Sequence, residues 1–469
     1  MTMKGYWLPP GCDVVLETET IEVNRDGRRF TLEMPKPTPE DLREIADYLR
    51  SAQRRVLARR TTASIIRSLD RAAALWLSPT YRPRLLARHT ISIITGFSSE
   101  MVARAIELEQ AASRAPDMMA ALVRELGDPA ALDGFVPTPK GRSMAIGPQL
   151  VGGIFSANIP ALPHLTVMRA FLVKAACFGR ISRDEPIYLP LYADSLREVD
   201  PELAECLAVI HWDRDERACE RAFLGALDHL IAYGGEAALS GLRERLPEGV
   251  AATWHGHRMG FAYVGRPALM GSIDGLVDRL AFDFSIFDQH ACLAPQACFV
   301  ERGGQRSPLD FAKKLSEAMA SWLEELPPRS LSVQEMAPLR AALDAASLRE
   351  LVGEGGARVV SPPDRLQGAV VVERPERFEP VPLDRFVRVI PVDGLDDMLT
   401  LLEPVKRYLQ CAAVAGCDDR ARARLARLGL SRLCPPGRMG TPTMVWHHDG
   451  EGCLASLVTW CDEETRMPA

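Results

Sequence analysis

The stretch that decides the fold is "LVGGIFSANIPALPHLTVMRAFLVKAACFGRIS", residues 150–182. It begins with a short apolar run, continues through a segment of helical length, and ends on a second short apolar run. Short β-like runs joined by helices are typical of parallel strands, because the helix carries the chain back to the edge where the first strand began. The stretch therefore predicts a strand–helix–strand unit.

The same alternation continues along the chain, from residue 206 to 256 and again after residue 292. Further predicted strands are "CLAVIHW", "HLIAYG", "GVAATWHG", "ACFVER", "GAVVVE", "FVRVIPV" and "YLQCAAVA". Strands alternating with helices predict parallel sheets covered on both faces, which bind ligands beyond the carboxyl ends of their strands. We therefore expect two α/β lobes with a cleft and with Cys292 near the passage between them.

The flanking regions have a different pattern. "CDVVLE" and "RRFTLEM" predict two short strands, and "KPTPEDLREIADYL" predicts a helix that Thr38 caps and Pro39 opens. Helices are expected to continue to about residue 127. The Pro- and Gly-rich stretch at 135–155 predicts a hairpin or domain boundary, and "GCLASLVTW" predicts a strand-like tail.

Composition excludes several classes of partner. The chain has 469 residues, a formal charge of −6 and no low-complexity tract. Nucleic acids and anionic membranes require concentrated positive potential, so neither is an expected partner. The amino terminus does not have the pattern of a signal peptide, and no run approaches the roughly 20 apolar residues of a membrane span, so we expect a cytoplasmic protein. The eleven cysteines lack a CxxC pair and are expected to be reduced thiols.

The glycine-rich positions do not form a dinucleotide-binding fingerprint. Gly152 and Gly153 are adjacent and lack the spacing of G-x-G-x-x-G. Asn158 follows a predicted strand and precedes a helix, where its amide either points into a cleft or forms a turn or cap. Gly234 and Gly235 follow another strand, where they either admit an anion or flat ring or form a tight turn.

Two histidine motifs do not have the spacing of a metal site. "WHGHRMGF" places His255 and His257 two residues apart without an accompanying glutamate. In "WHHDG" the adjacent His448 and Asp449 would diverge if the segment were a strand. We expect no metal ion at either motif and interpret the second as a structural polar corner.

The stretch "FDQHACLAPQ", residues 287–296, places Cys292 between Asp288 and Pro295. A free cysteine is commonly a buried small hydrophobe, and it becomes a nucleophile where a helix amino terminus or a cation stabilises its thiolate. The residues around Cys292 leave both interpretations open.

Taken together, these motifs resemble the aldehyde dehydrogenase superfamily, and within it the LuxC branch of acyl-CoA reductases. The resemblance covers nearly the whole chain. It rests on five blocks in the family's order and on the tail; these are "GGIFSANIP", "FGRISRDEP", "IAYGGEAAL", "HGHRMGFAYVG", "FDQHACLAPQ" and "WHHDG…LVTW". The cysteine block and the tail are the most specific. The resemblance implies two doubly wound parallel-sheet domains with a small hairpin and tail that serve oligomerisation.

The resemblance also implies roles for individual residues. Cys292 matches the acyl-accepting nucleophile and Asn158 matches the oxyanion-hole amide. The proton donor would be His290 or a histidine of "WHGHRMGF", and His290 could equally be a neighbour that merely packs. The positions expected to bind the cofactor, NADPH, are Ser156, Ala157, Arg180, Ser182, Gly234, Gly235 and Trp254. Arg180 stands where the superfamily usually has lysine, and its guanidinium is compatible with a phosphate.

One departure from the superfamily bears on the reaction. Trp254 stands where hydrolytic aldehyde dehydrogenases carry the glutamate that activates water. The resemblance thus implies that an acyl thioester, from acyl-CoA or an acyl-carrying protein, is transferred to Cys292 and reduced to the aldehyde rather than hydrolysed. The alternatives are a CoA-acylating aldehyde dehydrogenase working oxidatively and a non-catalytic acyl-binding protein.

The expected domains follow the same alignment. Residues 1–135 and 151–283 would form a helical region with the NADP-binding domain, and residues 284–435 the catalytic domain. Residues 136–150 with 440–469 would form the oligomerisation element of a homodimer or homotetramer. Relatives in luminescence operons also work with an acyl-protein synthetase, which is therefore a potential partner.

Overall fold

The computed structural model describes residues 1–362 and 364–464. Its strands are β1 (Thr2–Lys4), β2 (Glu17–Arg25), β3 (Arg28–Lys36), β4 (Val136–Thr138), β5 (Gly141–Ile146), β6 (Leu150–Ile154), β7 (Ala176–Arg180), β8 (Leu207–Ile210), β9 (His229–Tyr233), β10 (Ala251–His255), β11 (Met259–Val264), β12 (Pro295–Glu301), β13 (Arg358–Val359), β14 (Val370–Val372), β15 (Val387–Val392), β16 (Leu409–Ala415), β17 (Arg432–Cys434) and β18 (Thr459–Glu464).

Helices separate most of these strands. They are α1 (Pro39–Arg55), α2 (Thr62–Leu77), α3 (Arg82–Thr95), α4 (Ser99–Ala111), α5 (Ala115–Leu126), α6 (His164–Leu172), α7 (Tyr188–Val199), α8 (Pro201–Ala204), α9 (Arg217–Gly225), α10 (Glu236–Arg245), α11 (Asp274–Ser285), α12 (Pro308–Glu325), α13 (Val333–Val352), α14 (Leu395–Leu402) and α15 (Asp419–Ala426). None of the described helices is both long enough and apolar enough to cross a membrane.

The chain forms two compact units. Unit 1 comprises Met1–Thr95, Val102–Gly256 and the tail that begins at Thr443, and unit 2 comprises Gly96–Met101 and His257–Pro442.

The centre of unit 1 is a five-stranded parallel sheet with the order β10-β9-β6-β7-β8. All five residues of β6 are buried, as expected for a strand covered on both faces. From β6 the chain moves to β7 and β8 on one side and then crosses to β9 on the other. The strand order therefore reverses between β6 and β9, which is where open α/β sheets bind ligands.

The predicted helix after residue 38 is confirmed. Thr38 and Asp41 form a reciprocal capping box, and Pro39 occupies the first turn of α1. Its buried face includes Leu42, Ile45 and Leu49, and α1 packs against β6 and β7. This helix covers one face of the sheet of unit 1.

The adjacent glycines of β6 serve packing. A Cβ atom at Gly152 would lie 2.2 Å from the Leu227 side chain, and one at Gly153 would lie 2.3 Å from the Phe155 ring. Both distances are far below van der Waals contact, so a larger residue at either position would displace these side chains. This explains why two adjacent glycines occur here without the spacing of a phosphate-binding loop.

The predicted strand "CDVVLE" is wrong, because β2 begins only at Glu17. Val15 is 90% exposed, and the antiparallel pairing with β3 runs from Glu17 opposite Lys36 to Arg25 opposite Arg28. The hairpin turns at Asp26 and Gly27, whose φ angles are 52° and 75°, as a two-residue turn between twisted strands requires. The apolar run before Glu17 has no opposite strand in this register, whereas "RRFTLEM" is confirmed within β3.

A separate antiparallel sheet in unit 1 joins the predicted hairpin to the predicted tail. Its order is β18-β5-β4, with Thr459 opposite Ile146 and Glu464 opposite Gly141. The Glu125 carboxylate accepts hydrogen bonds from the backbone N–H groups of Leu454 and Ala455, which fixes the start of the tail. The hairpin and the tail are thus neighbours within one chain, and their role in oligomerisation stays a prediction.

Unit 2 contains a seven-stranded sheet with the order β13-β14-β15-β12-β11-β16-β17. Every neighbouring pair is parallel except β13 with β14. One side is covered by a buried cluster that includes Phe261, Phe299 and Ile390. Because β11 pairs with β12, this sheet begins before residue 284, where the sequence analysis starts the catalytic domain.

Two unusual backbone segments face each other in unit 2. Phe287, Asp288 and Gln289 all have positive φ angles (55°, 48° and 65°). The same is true of the segment 383–385, with angles of 67°, 49° and 67°. The Asp384 N–H donates to the Asp288 carbonyl at 3.1 Å. Non-glycine residues adopt this conformation only where surrounding contacts over-determine it.

A buried ion pair supplies those contacts. The Arg385 Nε donates to Asp288 Oδ1, and both side chains are 0% exposed. Asp288 Oδ2 also accepts from the Arg329 backbone N–H at 3.1 Å. Burial raises the pKa of Asp288, and the Arg385 guanidinium opposes that rise. The two segments with positive φ angles, 287–289 and 383–385, are therefore joined by a backbone hydrogen bond and by a side-chain ion pair.

Breaking this ion pair should destabilise unit 2. Arg385→Met leaves a buried, unpaired Asp288 carboxylate, which we expect to lower the free energy of unfolding of unit 2 by about 3–5 kcal/mol. The double variant Asp288→Asn with Arg385→Met removes the stranded charge and should recover part of that loss. Hydrogen exchange of peptides spanning residues 286–296, followed in increasing urea, measures the free energy of unfolding of the single and the double variant. Equal loss in the single and double variants would contradict the ion-pair argument.

Candidate active site

Cys292 lies in a turn immediately before β12, a central strand of unit 2. Its side chain is partly exposed. The turn is closed by the Ala294 N–H, which donates to the Ala291 carbonyl at 2.9 Å. Cys292 is thus at the amino edge of the sheet and not at a helix amino terminus, so a helix dipole is not what would activate its thiol.

Burial separates Cys292 from most other cysteines. All eleven cysteines are free thiols, and six of them are buried; these are Cys177, Cys206, Cys219, Cys298, Cys411 and Cys434. Burial raises the pKa of Cys177 and of Cys206 to about 12. Such thiols are not ionised at neutral pH and are out of reach of a substrate. Cys292 is among the few that remain accessible.

The turn that presents Cys292 is held in place by Gln289. Its side-chain Nε2 donates to the carbonyls of Pro295 and Phe386, at 2.9 and 3.2 Å. Together with the Asp288–Arg385 pair, these bonds fix the residues on the amino-terminal side of the cysteine. A nucleophile on such a fixed turn loses little conformational entropy when it reacts.

His290 is anchored by a carboxylate. Its Nε2 lies 3.1 Å from Asp384 Oδ1, and the same oxygen accepts from Arg329 Nε at 2.7 Å. Arg329 in turn pairs with Glu335 at the start of α13. His290 is 24% exposed at its side chain, whereas Asp384 is 6% exposed. The sequence analysis did not identify Asp384 and Arg329. Both lie far from His290 in the sequence, and only the folded chain brings them next to it.

In unit 1, Asn158 follows β6 at the carboxyl edge of the sheet. The Ser156 hydroxyl donates to Asn158 Oδ1 at 2.6 Å. This bond uses the amide oxygen and so directs the Nδ2 donor the other way. Ser156, Ala157 and Asn158 are all partly exposed. The loop thus presents an oriented amide donor at the point where the strand order reverses.

Gly234 and Gly235 follow β9, the neighbour of β6. A Cβ atom built on Gly235 would meet nothing within 4 Å, and one on Gly234 would make only ordinary contacts, the nearest at 3.5 Å. The Gly234 N–H donates to the His255 carbonyl at 3.2 Å. Bare backbone beside open space at the start of α10 fits a flat ring or a phosphate, as a nicotinamide cofactor would require.

The other predicted cofactor residues have partners inside unit 1. Arg180 ends β7, and its Nη2 donates to the Trp212 carbonyl at 2.8 Å. Burial lowers its pKa. The Ser182 hydroxyl accepts from the Asp184 N–H at 3.2 Å and forms a local turn. Arg180 and Ser182 both lie at the carboxyl end of β7, the strand that pairs with β6. The hydrogen bonds from Arg180 to the Trp212 carbonyl use part of its guanidinium.

Trp254 lies in β10 with the Arg243 guanidinium of α10 stacked on it, 4.9 Å from the ring centroid. A tryptophan in this environment has no group that can activate a water molecule. The next residue, His255, points to the opposite face of the sheet, as successive strand residues do.

The interpretation of "WHHDG" as diverging side chains is wrong. The segment is a short turn in which Asp449 has a φ angle of 55°. This turn brings His448 and Asp449 to His255, so the two histidine motifs of the sequence meet in unit 1. The nitrogen and oxygen atoms of the three residues that could bind a metal all lie within 4.8 Å of one another.

Comparisons with known proteins identify the family of this chain. The family profile described as "Acyl-CoA reductase (LuxC)" matches residues 57–460. The long-chain acyl-protein thioester reductase of Vibrio harveyi is 23% identical over 332 residues, which are 70% of this chain and 65% of that protein. That of Photorhabdus laumondii is 24% identical over 354 residues, 72% of this chain and 69% of that protein. The match thus spans slightly less than two thirds of the Vibrio harveyi relative.

A solved structure shows the same fold. Aldehyde dehydrogenase 21 from Physcomitrella patens, in complex with the reaction product succinate, superposes with a TM-score of 0.75 at 10% identity, over 99% of each chain. The expected aldehyde-dehydrogenase-like architecture of two α/β sheets is therefore confirmed. Because the family profile covers most of the sequence and the fold agrees with it, the chain belongs to the acyl-CoA reductase (LuxC) family.

Proposed function

We propose that this protein is an enzyme that reduces an acyl thioester to the aldehyde through an S-acyl intermediate on Cys292, with NADPH as the reductant. The observation that carries the proposal is a partly exposed cysteine on a rigid turn, in a chain that belongs to an acyl-CoA reductase family. Relatives named long-chain acyl-protein thioester reductase support a thioester substrate.

In the first half of the reaction, the Cys292 thiolate attacks the thioester carbonyl. A carbon–sulfur bond to Cys292 forms and the bond to the departing thiol breaks, so that one thioester replaces another at little free-energy cost. The fixed turn orients the sulfur. His290, held by Asp384, is proposed as the proton donor or acceptor beside it.

The second half requires a hydride. A nicotinamide cofactor supplies it when bound, and Ser156, Ala157, Gly234 and Gly235 are the residues proposed to hold that cofactor at the carboxyl edge of unit 1. Arg180, Ser182 and Trp254 are proposed as further contacts. The exposed glycine backbone supports this assignment. The arginine at position 180, whose guanidinium suits a phosphate, is compatible with the proposed NADPH.

Asn158 is proposed to stabilise the negative charge that develops on the carbonyl oxygen. The hydrogen bond from the Ser156 hydroxyl to Asn158 Oδ1 fixes the orientation of the amide, which supports this role. A preorganised donor of this kind contributes on the order of 3 kcal/mol to the transition state. The lack of a water-activating carboxylate at Trp254 supports reduction of the acyl enzyme rather than its hydrolysis.

The proposed donor is acyl-CoA or an acyl group carried on a protein, and an acyl-protein synthetase is a proposed partner. We also propose that the chain works as a homodimer or homotetramer. The exposed Trp460 and Ile146 on the β18-β5 sheet, 45% and 46% exposed, support an additional contact at this sheet.

Cys292→Ala should abolish aldehyde formation, because no other accessible thiol stands on the same turn. Decanoyl-CoA with NADPH tests the reductive direction, and decanal with CoA and NADP⁺ tests the oxidative one. Intact-protein mass spectrometry without cofactor should show an acyl adduct that this variant lacks. Cys461→Ala, which removes an exposed thiol on β18, is the matched control and should retain the adduct. Aldehyde production by Cys292→Ala would exclude covalent catalysis at this residue.

Asn158→Ala should lower turnover by about 100-fold while changing the Michaelis constant little, because the amide is proposed to act on charge that exists only in the transition state. Steady-state kinetics of aldehyde formation separate the two constants. Asn24→Ala, at an exposed position of β2, should behave like the wild type. An effect of Asn158→Ala confined to the Michaelis constant would contradict the oxyanion role.

A further inference from the structure

A loop of unit 2 packs against both flanks of the turn that carries Cys292. This loop, residues 437–441, follows β17. On the first flank, a Cβ atom built on Gly440 would lie 2.8 Å from the Ile286 side chain and 3.5 Å from the Phe287 ring. Ile286 and Phe287 begin the short segment that leads to the cysteine. The loop therefore contacts the chain just before the candidate nucleophile.

On the second flank, the loop reaches the residues that follow Cys292. The Gly260 N–H of β11 donates to the Ala294 carbonyl at 2.9 Å. A Cβ atom built on Gly260 would lie 2.5 Å from the Leu293 carbonyl oxygen and 2.6 Å from the terminal methyl carbon of Met439. Met439 is 0% exposed. Because both atoms approach the same point, the Met439 side chain lies beside the turn, in space that the bare glycine backbone leaves open.

A single buried carboxylate holds this loop. Asp283 lies in α11 and is 0% exposed. Its Oδ2 accepts from the Gly437 N–H at 2.6 Å, and its Oδ1 accepts from the Met439 N–H at 2.9 Å. Each oxygen of Asp283 thus fixes one end of the short segment that ends at Met439.

A guanidinium holds the same loop by its carbonyl groups. Arg432 of β17 donates to the carbonyls of Met439 and Arg438, at 2.8 and 2.6 Å. Met439 is therefore bonded on both sides, through its N–H to Asp283 and through its C=O to Arg432. Hydrogen bonds to charged groups are stronger than those between neutral groups. The position of Met439 is thus set by two charges of opposite sign.

Stability alone does not account for the buried carboxylate. Burial raises the pKa of Asp283 to about 7, and the bonds from Gly437 and Met439 and the charge of Arg432 oppose that rise. Because the pKa is raised, the stability that Asp283 contributes is complete at low pH and is lost as pH rises through about 7. The ionised form is therefore maintained at a cost in folding free energy. Groups of this kind cluster at functional sites.

Protonation changes what Asp283 can hold. A carboxylate accepts on both oxygens, whereas in a carboxylic acid one oxygen is a hydroxyl that must itself donate. The protonated side chain therefore loses a charged acceptor for one of the two backbone N–H groups. Protonation should loosen one end of the segment that ends at Met439.

The neighbouring elements bring other titratable groups to this site. Cys411 of β16 lies 3.6 Å from the Arg432 guanidinium, and Cys434 of β17 interacts with Asp283. The hydrogen bond with Cys411, together with burial, raises the pKa of Cys434, so that thiol is uncharged near neutral pH. On the α12 side, Lys314 pairs with the first residue of α11 at 3.9 Å. Arg432 is the cation whose charge acts on the pKa of Asp283.

We propose that Asp283 is a positioning residue for Cys292: as a carboxylate it holds the loop 437–441, and with it Met439, against the turn that carries the cysteine. This inference rests on the proposed function, in which Cys292 accepts the acyl group. Attack on a thioester requires the sulfur to lie about 3–3.5 Å from the carbonyl carbon in a defined direction. A loosened turn samples that geometry less often, so protonation of Asp283 should slow acylation of the cysteine.

The rate of acylation without NADPH tests this role. Full-length enzyme is mixed with decanoyl-CoA at a series of pH values from 5.5 to 9, the reaction is quenched at short times, and the adduct on Cys292 is quantified by intact mass. Attack requires the cysteine thiolate and, under this proposal, an ionised Asp283. The logarithm of the wild-type rate should therefore rise with a slope of about two below pH 7 and of about one just above it.

Asp283→Asn keeps the shape of the side chain but offers a single acceptor oxygen. We expect this variant to be acylated about tenfold more slowly at pH 8 and to show a slope of about one throughout. Met439→Ala leaves the carboxylate in place and removes the contact with the turn, so it should lower the rate at every pH and keep the steep limb. Asp278→Asn, at an exposed position of the same helix, is the matched control and should behave like the wild type.

Hydrogen exchange gives a readout that does not depend on acylation. At pH 8, peptides spanning residues 286–296 should exchange faster in Asp283→Asn and in Met439→Ala than in the wild type, because the turn has lost one support. Peptides from α13, in the same unit, should exchange as in the wild type. A general loss of stability would instead accelerate exchange in both sets of peptides.

Three results would overturn the inference. The first is an acylation rate and a steep limb in Asp283→Asn that match those of the wild type. The second is a wild-type profile without the steep limb, which decides the question even if Asp283→Asn does not fold. The third is equal exchange of the 286–296 peptides in the variants and the wild type, or an equal increase in the α13 peptides, which would indicate a purely structural role.

The failure of the proposed function would look different. If the wild-type enzyme formed no adduct with decanoyl-CoA at any pH, acyl transfer to Cys292 would be excluded for this donor. Hydrogen exchange of the 286–296 peptides in Asp283→Asn would still decide whether Asp283 holds the turn.

Discussion

The buried ion pair between Asp288 and Arg385 is the interaction on which the candidate nucleophile depends. It joins two segments of three residues each, all with positive φ angles, and its side chains are completely buried. Each such residue costs free energy on its own, so the segments persist only because the pair, the Asp384–Asp288 backbone bond and the Gln289 amide hold them together. Cys292 follows directly, and its position is thus set by charges several residues away.

The two sheets are built in the same way but present different functional groups at their strand ends. In both, strands buried on two faces make a rigid support, and the candidate site residues lie at the ends of strands. Unit 1 places an oriented amide and bare glycine backbone at the carboxyl edge, where its strand order reverses. Unit 2 places its cysteine at the amino edge of a central strand. The glycines within β6 serve close packing, and the ones at the strand ends leave space for a ligand.

Two carboxylates in this protein position histidines. Asp384 binds His290 and Asp449 binds His255, and each carboxylate is itself at least nine-tenths buried. Buried carboxylates that pair with imidazole fix its tautomer and stabilise its charged form. Trp254, which the resemblance predicts to replace a water-activating glutamate, is covered by the Arg243 guanidinium.

The sequence by itself determined the parallel α/β architecture and the capped helix at Thr38, because periodicity and caps are local. The roles of Cys292 and Asn158 come from the family resemblance and stay predictions. The strand predicted at "CDVVLE" was wrong, because where β2 begins depends on its pairing register with β3. The sequence analysis also treated "WHGH" and "WHHDG" as two unrelated motifs. In the structure, the positive φ angle of Asp449 turns the tail so that Asp449 contacts His255 of β10. The partners Asp384, Arg329 and Arg385 were decided only by the tertiary structure, because contacts between distant segments leave no periodic signal in a single sequence.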